Sequence, residues 1–132
     1  MADTGSARRD SVRKTKGNQM KITICSKSFE ATLVDNEAVT ALKEMLPLTL
    51  EMSELNGNEK LFRFSNNLPG KASNPGTIHG GDLMLWGSNT LVLFYEAFPT
   101  SFSYTRIGRI NDPAGLAQAL GPGSVMVRFE VD

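Results

Sequence analysis

From Met20 onward, apolar and polar residues alternate at short, readable intervals. Met20 to Ile24 sets Lys21 and Thr23 between apolar neighbours, the two-residue period of a half-buried strand. Ser26-Lys27-Ser28 breaks that run, and Phe29 to Leu33 reads as the returning strand of a hairpin. Asp35-Asn36 then offers an N-cap, with Glu37 placed to complement a helix dipole. Ala38, Val39, Leu42, Met45 and Leu46 follow at helical spacing and make one apolar stripe. Pro47 cannot continue a helix and disfavours helical geometry at Leu46, so the helix is expected to end near Met45.

The second half has a different texture. Leu48, Leu50 and Met52 alternate with polar residues, Asn56-Gly57-Asn58 is a turn signal, and Glu59 to Phe64 extends a strand. Residues 65–76 turn to Asn, Pro, Gly, Ser and Lys, which predicts a long surface loop. The turn Thr77-Ile78-His79-Gly80-Gly81-Asp82 feeds two strongly apolar strands, Asp82 to Trp86 and Thr90 to Tyr95. Such near-continuous apolar character suits strands covered on both faces. A loop with Phe98-Pro99 and Phe102 leads to a strand from Tyr104 to Ile110. A short helix is expected over Pro113 to Leu120, with Pro near its start and Gly121-Pro122-Gly123 as its stop. Ser124 to Val131 alternates cleanly and closes the chain as a last strand. Roughly seven or eight short strands and two helices predict a mainly β fold, a barrel with helix-capped ends, because closure removes reactive sheet edges. An open α+β sheet is the competing architecture.

Composition narrows the class. At 132 residues, 40% hydrophobic and 21% charged, the chain has the make-up of one ordinary globular domain. Its apolar runs reach only about five residues against the ~20 needed to span a bilayer, so no membrane partner is expected. No signal-peptide core is visible, and the expected location is cytoplasmic. The single Cys, Cys25, excludes an internal disulfide and is expected as a small packed or half-buried thiol on a strand. One His and one Cys make a zinc site of the usual types untenable, and no metal or cofactor is expected. Net charge is zero, but Arg8, Arg9, Arg13, Lys14 and Lys16 outnumber Asp3 and Asp10 in residues 1–19. Those residues are read as a basic flexible tail, with residues 20–132 as the domain. The modest charge and missing aromatics favour a solvated leader over a nucleic-acid arm. Met20 also stands as an alternative start.

The run of segments resembles the cyclophilin-like fold, and more narrowly the small bacterial and archaeal cyclophilin-like family. The residues that carry it are the helix ending in Leu46-Pro47, then Glu59-Lys60-Leu61-Phe62, Gly81-Asp82-Leu83-Met84-Leu85-Trp86, Leu91-Val92-Leu93-Phe94-Tyr95, Tyr104-Thr105-Arg106-Ile107-Gly108-Arg109-Ile110 and the last strand. The resemblance covers about Met20 to Val131 and implies a closed eight-stranded barrel with a helix at each end. True cyclophilins are peptidyl-prolyl isomerases. Their motif carries an Arg, a Pro-Gly-Phe and an Ile-Gln-Gly-Gly-Asp. Aligned on Ile78-His79-Gly80-Gly81-Asp82, Lys71 stands at the catalytic Arg, Gly76 at the Phe and His79 at the substrate-binding Gln. A second register sets Gly81 to Trp86 on the strand before the family's Gly-Ser-Gln-Phe-Phe, and the Gln is again missing. Neither register supplies the catalytic Arg.

That difference bears on chemistry. Prolyl isomerisation needs no nucleophile, only a cationic donor near the prolyl nitrogen and an apolar pocket for the ring. A Lys is a poor replacement for a planar guanidinium fork, and binding without preference for the transition state leaves the ~20 kcal/mol barrier in place. The phosphate loop, dinucleotide fingerprint and nucleophile elbow are all missing.

The candidate ligand-binding residues are His79, Trp86, Tyr95, Phe98, Phe102, Tyr104, Arg106 and Arg63. His79 is equally read as a turn residue bonded to its own loop. Trp86 in an apolar strand is more often core than pocket wall, and Asp82 is more often a turn terminator than a ligand group. Phe94 and Tyr95 point to opposite faces, with Phe94 expected in the core. Arg63 and Arg106 could clamp a carboxylate, although a solvated strand face explains each more simply. The expected function is a non-catalytic barrel that binds a small molecule or peptide in an aromatic-lined cleft. The alternatives are a divergent isomerase using His79, Lys71 or Arg106, and a protein-interaction module docking a partner through residues 65–76.

Overall fold

Alternating strands bury one face each, and here they do so by rolling into a cylinder. The computed structural model describes residues 18–132. The barrel strands are β1 (Gln19–Ile24), β2 (Lys27–Leu33), β3 (Leu48–Leu55), β4 (Glu59–Arg63), β6 (Asp82–Trp86), β7 (Thr90–Phe94), β9 (Thr105–Ile110) and β10 (Val125–Val131). Two short strands, β5 (Thr77–Ile78) and β8 (Phe98–Pro99), lie outside it, and the helices are α1 (Glu37–Met45) and α2 (Leu116–Leu120). The order around the barrel is β1-β10-β3-β4-β7-β6-β9-β2, returning to β1. Every pairing in it is antiparallel. The open-sheet alternative is therefore set aside: β1 pairs with β2 on one side and β10 on the other.

The period-two pattern fixes what lies inside. Met20, Ile22 and Ile24 of β1 meet Phe29, Ala31 and Leu33 of β2, Leu83 and Leu85 of β6, Leu91 and Leu93 of β7, and Val127 and Phe129 of β10. The α1 stripe of Ala38, Val39 and Leu42, with Leu116 and Leu120 of α2, joins this core. Asn36 caps α1 by accepting the Val39 N–H at 2.8 Å, and its amide donates to the Arg106 carbonyl at 2.8 Å, tying the helix to β9. The helix stops before a cis Leu46-Pro47 peptide.

The outward faces of β6 and β7 are also buried. Met84, Val92 and Phe94 form a second cluster with Ile78 and Tyr104, supplied by the segments that carry β5 and β8. This explains the near-continuous apolar runs. Residues 65–76 are tied down by backbone bonds: Leu68 to Ser88 at 2.7 Å, and Ser73 to Tyr104 in both directions at 2.9 Å.

Several expectations need adjustment. Cys25 is exposed, in the β1–β2 turn with φ 56°, because the strand ends at Ile24. Strand β9 begins at Thr105, because Tyr104 leaves the barrel to pair with Ser73. The second helix starts only at Leu116, after Gly115 at φ 82° breaks the Pro113 turn. Apart from Asn18 and Gln19, the basic tail lies outside the described residues; Gln19 already belongs to β1. Among the described residues, no helix is long and apolar enough to cross a membrane.

Candidate functional site

Period two also decides what faces outward on β4. Glu59, Leu61 and Arg63 share that face, opposite Phe94, Val92 and Thr90 of β7. Beside them Trp86, at the end of β6, pairs with Thr90. Together these outward side chains floor a cleft of about 230 Å³. Phe102 and Tyr104 from the loop after β8 wall one side, and Leu55 and Asn56 from the β3–β4 turn wall another. Trp86 is 47% exposed and Phe102 62% exposed. Trp86 is therefore not core, because the covering segments stop short of the far end of β6. Tyr104 is anchored edge-on against Phe94, their ring centroids 5.6 Å apart.

The cleft also holds a carboxyl group. Glu59 is only 9% exposed, and among the described residues nothing bonds its side chain. Burial above all, then the nearby Glu54 charge, push its pKa up to about 7 from an ordinary 4.5. Burial pushes Tyr104 up as well, opposed by a hydrogen bond with Thr100 and reinforced by Glu59.

Of the eight sequence candidates, Arg63, Trp86, Phe102 and Tyr104 line this cleft; His79, Tyr95, Phe98 and Arg106 do not. Phe98 packs against Phe94, centroids 5.7 Å apart, within the outer cluster. Arg106 is exposed on β9 opposite Met84. His79 belongs to a lock built on Asp82. One oxygen of that buried carboxylate accepts the Arg109 Nε–H at 2.7 Å and the other accepts the His79 backbone N–H at 2.8 Å. The Asp82 N–H returns to the His79 carbonyl at 3.0 Å. The Gly-Gly-Asp turn thus opens β6 and holds it against β9. Gly81 permits this at φ 95°, where a Cβ would press on Ile110 and Pro113.

Tyr95 faces the other way and joins a polar cluster that sequence reading missed. Its hydroxyl donates to the Glu54 carboxylate at 2.8 and 2.9 Å. The same carboxylate meets the Lys60 Nζ at 2.9 Å. Lys60 is 0% exposed and also donates to the Gly121 and Gly123 carbonyls at 2.7 and 2.6 Å, just past the C-terminus of α2. A buried ammonium is tolerated when its protons find acceptors in this way. Burial raises the Glu54 pKa, but hydrogen bonds from Lys60, Tyr95 and the Gly57 N–H outweigh it and hold the group below its ordinary value. Burial and Glu54 push Tyr95 up to about 12. The overlooked residues had one available signal: if Arg63 faces a cleft, Leu61 and Glu59 share its face while Lys60 points inward.

The family model described as the cyclophilin-like family matches residues 22–130. The chain belongs to the cyclophilin-like family. A solved relative in shape is the solution structure of a hypothetical protein from Archaeoglobus fulgidus, with TM-score 0.58 and 19% identity, covering 89% of this chain and 97% of that one. At that identity the likeness concerns the fold alone. No curated protein matches the chain.

For a cyclophilin-like chain the question is whether a cationic donor borders an apolar hollow. Neither Lys71, His79 nor Arg106, the donors suggested by alignment, lines the cleft. Arg63 does, from the exposed end of β4. Among the described residues no group of three His, Cys, Asp or Glu side chains is placed to hold a metal ion.

Proposed function

We propose that this cyclophilin-like barrel binds a small molecule or peptide in the outer cleft between β4, β6, β7 and the Phe102–Tyr104 loop, without catalysis. The observation that carries the reading is the exposure of Trp86 and Phe102, both of which line one concave, mainly apolar surface. Rigid aromatic walls with a few polar groups are what small-ligand sites are made of. Leaving two large rings half in water is a cost that a bound ligand offsets at roughly 25 cal/mol per Å² of apolar area covered. Trp86 is the only Trp in the chain, so its emission reports the cleft directly. Trp86→Ala and Phe102→Ala are expected each to weaken binding of an apolar aromatic probe, measured by calorimetry, about tenfold or more, with the fold intact by circular dichroism. Unchanged binding in both variants rejects the reading.

Arg63 supports a second reading, a divergent peptidyl-prolyl isomerase, because a guanidinium beside an apolar hollow is the donor that reaction needs. A proline-containing reporter peptide separates the two. Turnover above background that Arg63→Ala abolishes replaces the first reading with the second. The absence of turnover together with measurable peptide binding leaves the first in place.

A further inference from the structure

We propose that Glu59 makes the cleft selective for an organic cation, a ligand whose protonated amine meets the Glu59 carboxylate while its apolar body lies between Trp86, Phe102 and Tyr104. The inference rests on the cleft reading above and names the chemistry of its occupant.

Among the described residues Glu59 is the one acidic group lining the cleft, it is nine-tenths buried, and its side chain has no hydrogen-bond or ion-pair partner there. Buried carboxyl groups are ordinarily paired, because removing a charge from water without compensation costs several kcal/mol. The two nearest cations in sequence cannot pair with it. Lys60 points into the barrel and is taken by Glu54 and two carbonyls. Arg63 lies on the same face but four residues along β4, about 13 Å away at strand rise. A ligand ammonium would supply the missing donor, and the aromatic faces at the cleft add cation–π attraction.

One other charge acts on Glu59, and it is negative. That charge is the Glu54 carboxylate, on the inner face of the wall with Lys60 and the Tyr95 hydroxyl as its partners; on the outer face Glu59 shares the cleft with Tyr104 and, farther along β4, Arg63. With Lys60 committed to Glu54 and Arg63 at the far end of β4, the unpaired Glu59 carboxylate itself favours a positive guest over a negative one. Because the free carboxyl is half protonated near pH 7, binding a cation must expel its proton. Affinity then rises with pH and levels off above that range.

The test uses the full chain and three probes of one shape: phenethylamine, which stays protonated throughout, neutral 2-phenylethanol and anionic 3-phenylpropionate. Binding is read by Trp86 emission and calorimetry at pH 6 and pH 8. The expected result is that phenethylamine binds about tenfold tighter than the alcohol at pH 8, and loses about tenfold on going to pH 6. Glu59→Gln is expected to bind amine and alcohol alike. The blocked tripeptide N-acetyl-Ala-Lys-Phe-amide, whose one ammonium is on the lysine, distinguishes a lysine side chain from a free amine as the natural source; selective binding by either supports the inference. Equal or tighter binding of the alcohol or the propionate, or amine affinity that falls as pH rises, overturns it while leaving the cleft reading standing. Silence from all the probes overturns both. The wild-type series decides the matter even if Glu59→Gln fails to fold.

Discussion

Glu59 and Lys60 are neighbours with opposite fates, and the difference shows how little a local pattern says about charge. Both read as polar residues at the start of a strand, and both are buried. Lys60 is satisfied from three directions, whereas among the described residues the Glu59 side chain has no hydrogen-bond or ion-pair partner. A carboxyl whose folded pKa lies above its unfolded value holds its proton more tightly when folded. Its contribution is thus fully present below pH 4.5 and is lost as pH climbs through about 7. Glu59→Gln removes that loss, so the stability of the variant relative to wild type should rise between pH 5 and pH 7.5 in urea titrations. A pH-independent difference would show that the carboxyl titrates normally. Lys60→Met strands Glu54 and the two glycine carbonyls, and is expected to cost about 3 kcal/mol. Tyr95→Phe, which removes one hydrogen bond to a charged group, should cost about 1.5 kcal/mol by the same measurement. Sequence could assign Glu59 to a strand and to a face. It could not show that the face is roofed by residues more than forty positions away.

At the scale of elements, the strands were legible because their environment is simple. A strand with barrel core on one side and water on the other writes its period into the chain, as Met20, Ile22, Ile24 and again Val127, Phe129 do. Helix α1 was legible through its cap and its stripe. The pairs β5 and β8 were not, since two residues carry no period, and the closing seam was not, since nothing local records which strand meets which. That seam runs between β2 and β9, where Gly108 sits opposite Leu33 and also Leu83. A Cβ on Gly108 would lie 2.5 Å from the Thr32 carbonyl oxygen, a backbone atom that cannot swing aside. Gly108→Ala must therefore push the seam apart or leave its ladder unmade. The expected cost is ~3 kcal/mol, with the loss of amide protection concentrated in Ala31 to Leu33. Near-wild-type stability would mean that the two strands are not held at this distance.

The whole molecule is a barrel with a second, thinner apolar layer pressed on part of its outer wall. The inner core draws on all eight barrel strands and both helices, whereas the outer one holds Ile78, Met84, Val92, Phe94 and Tyr104 beneath a few backbone bonds. Opening the covering segments exposes far less apolar surface than opening the barrel, and both the free energy and its denaturant dependence scale with surface exposed. Amides of Ser73, Thr100 and Tyr104, which bond within this cover, should therefore exchange through a local opening. It should have a lower free energy and a shallower urea dependence than the opening seen along the β1–β10 ladder. The same free energy and slope at both sets would make cover and barrel one cooperative unit. Because Phe102 and Tyr104 are carried by the cover and line the cleft, a ligand held there binds only the closed form. Phenethylamine at a hundred times its dissociation constant should thus slow exchange at Tyr104 by up to about 2.7 kcal/mol. The ladder amides, measured by local fluctuation, should stay where they were. Protection that rose at the ladder and not at Tyr104 would place the ligand elsewhere on the barrel.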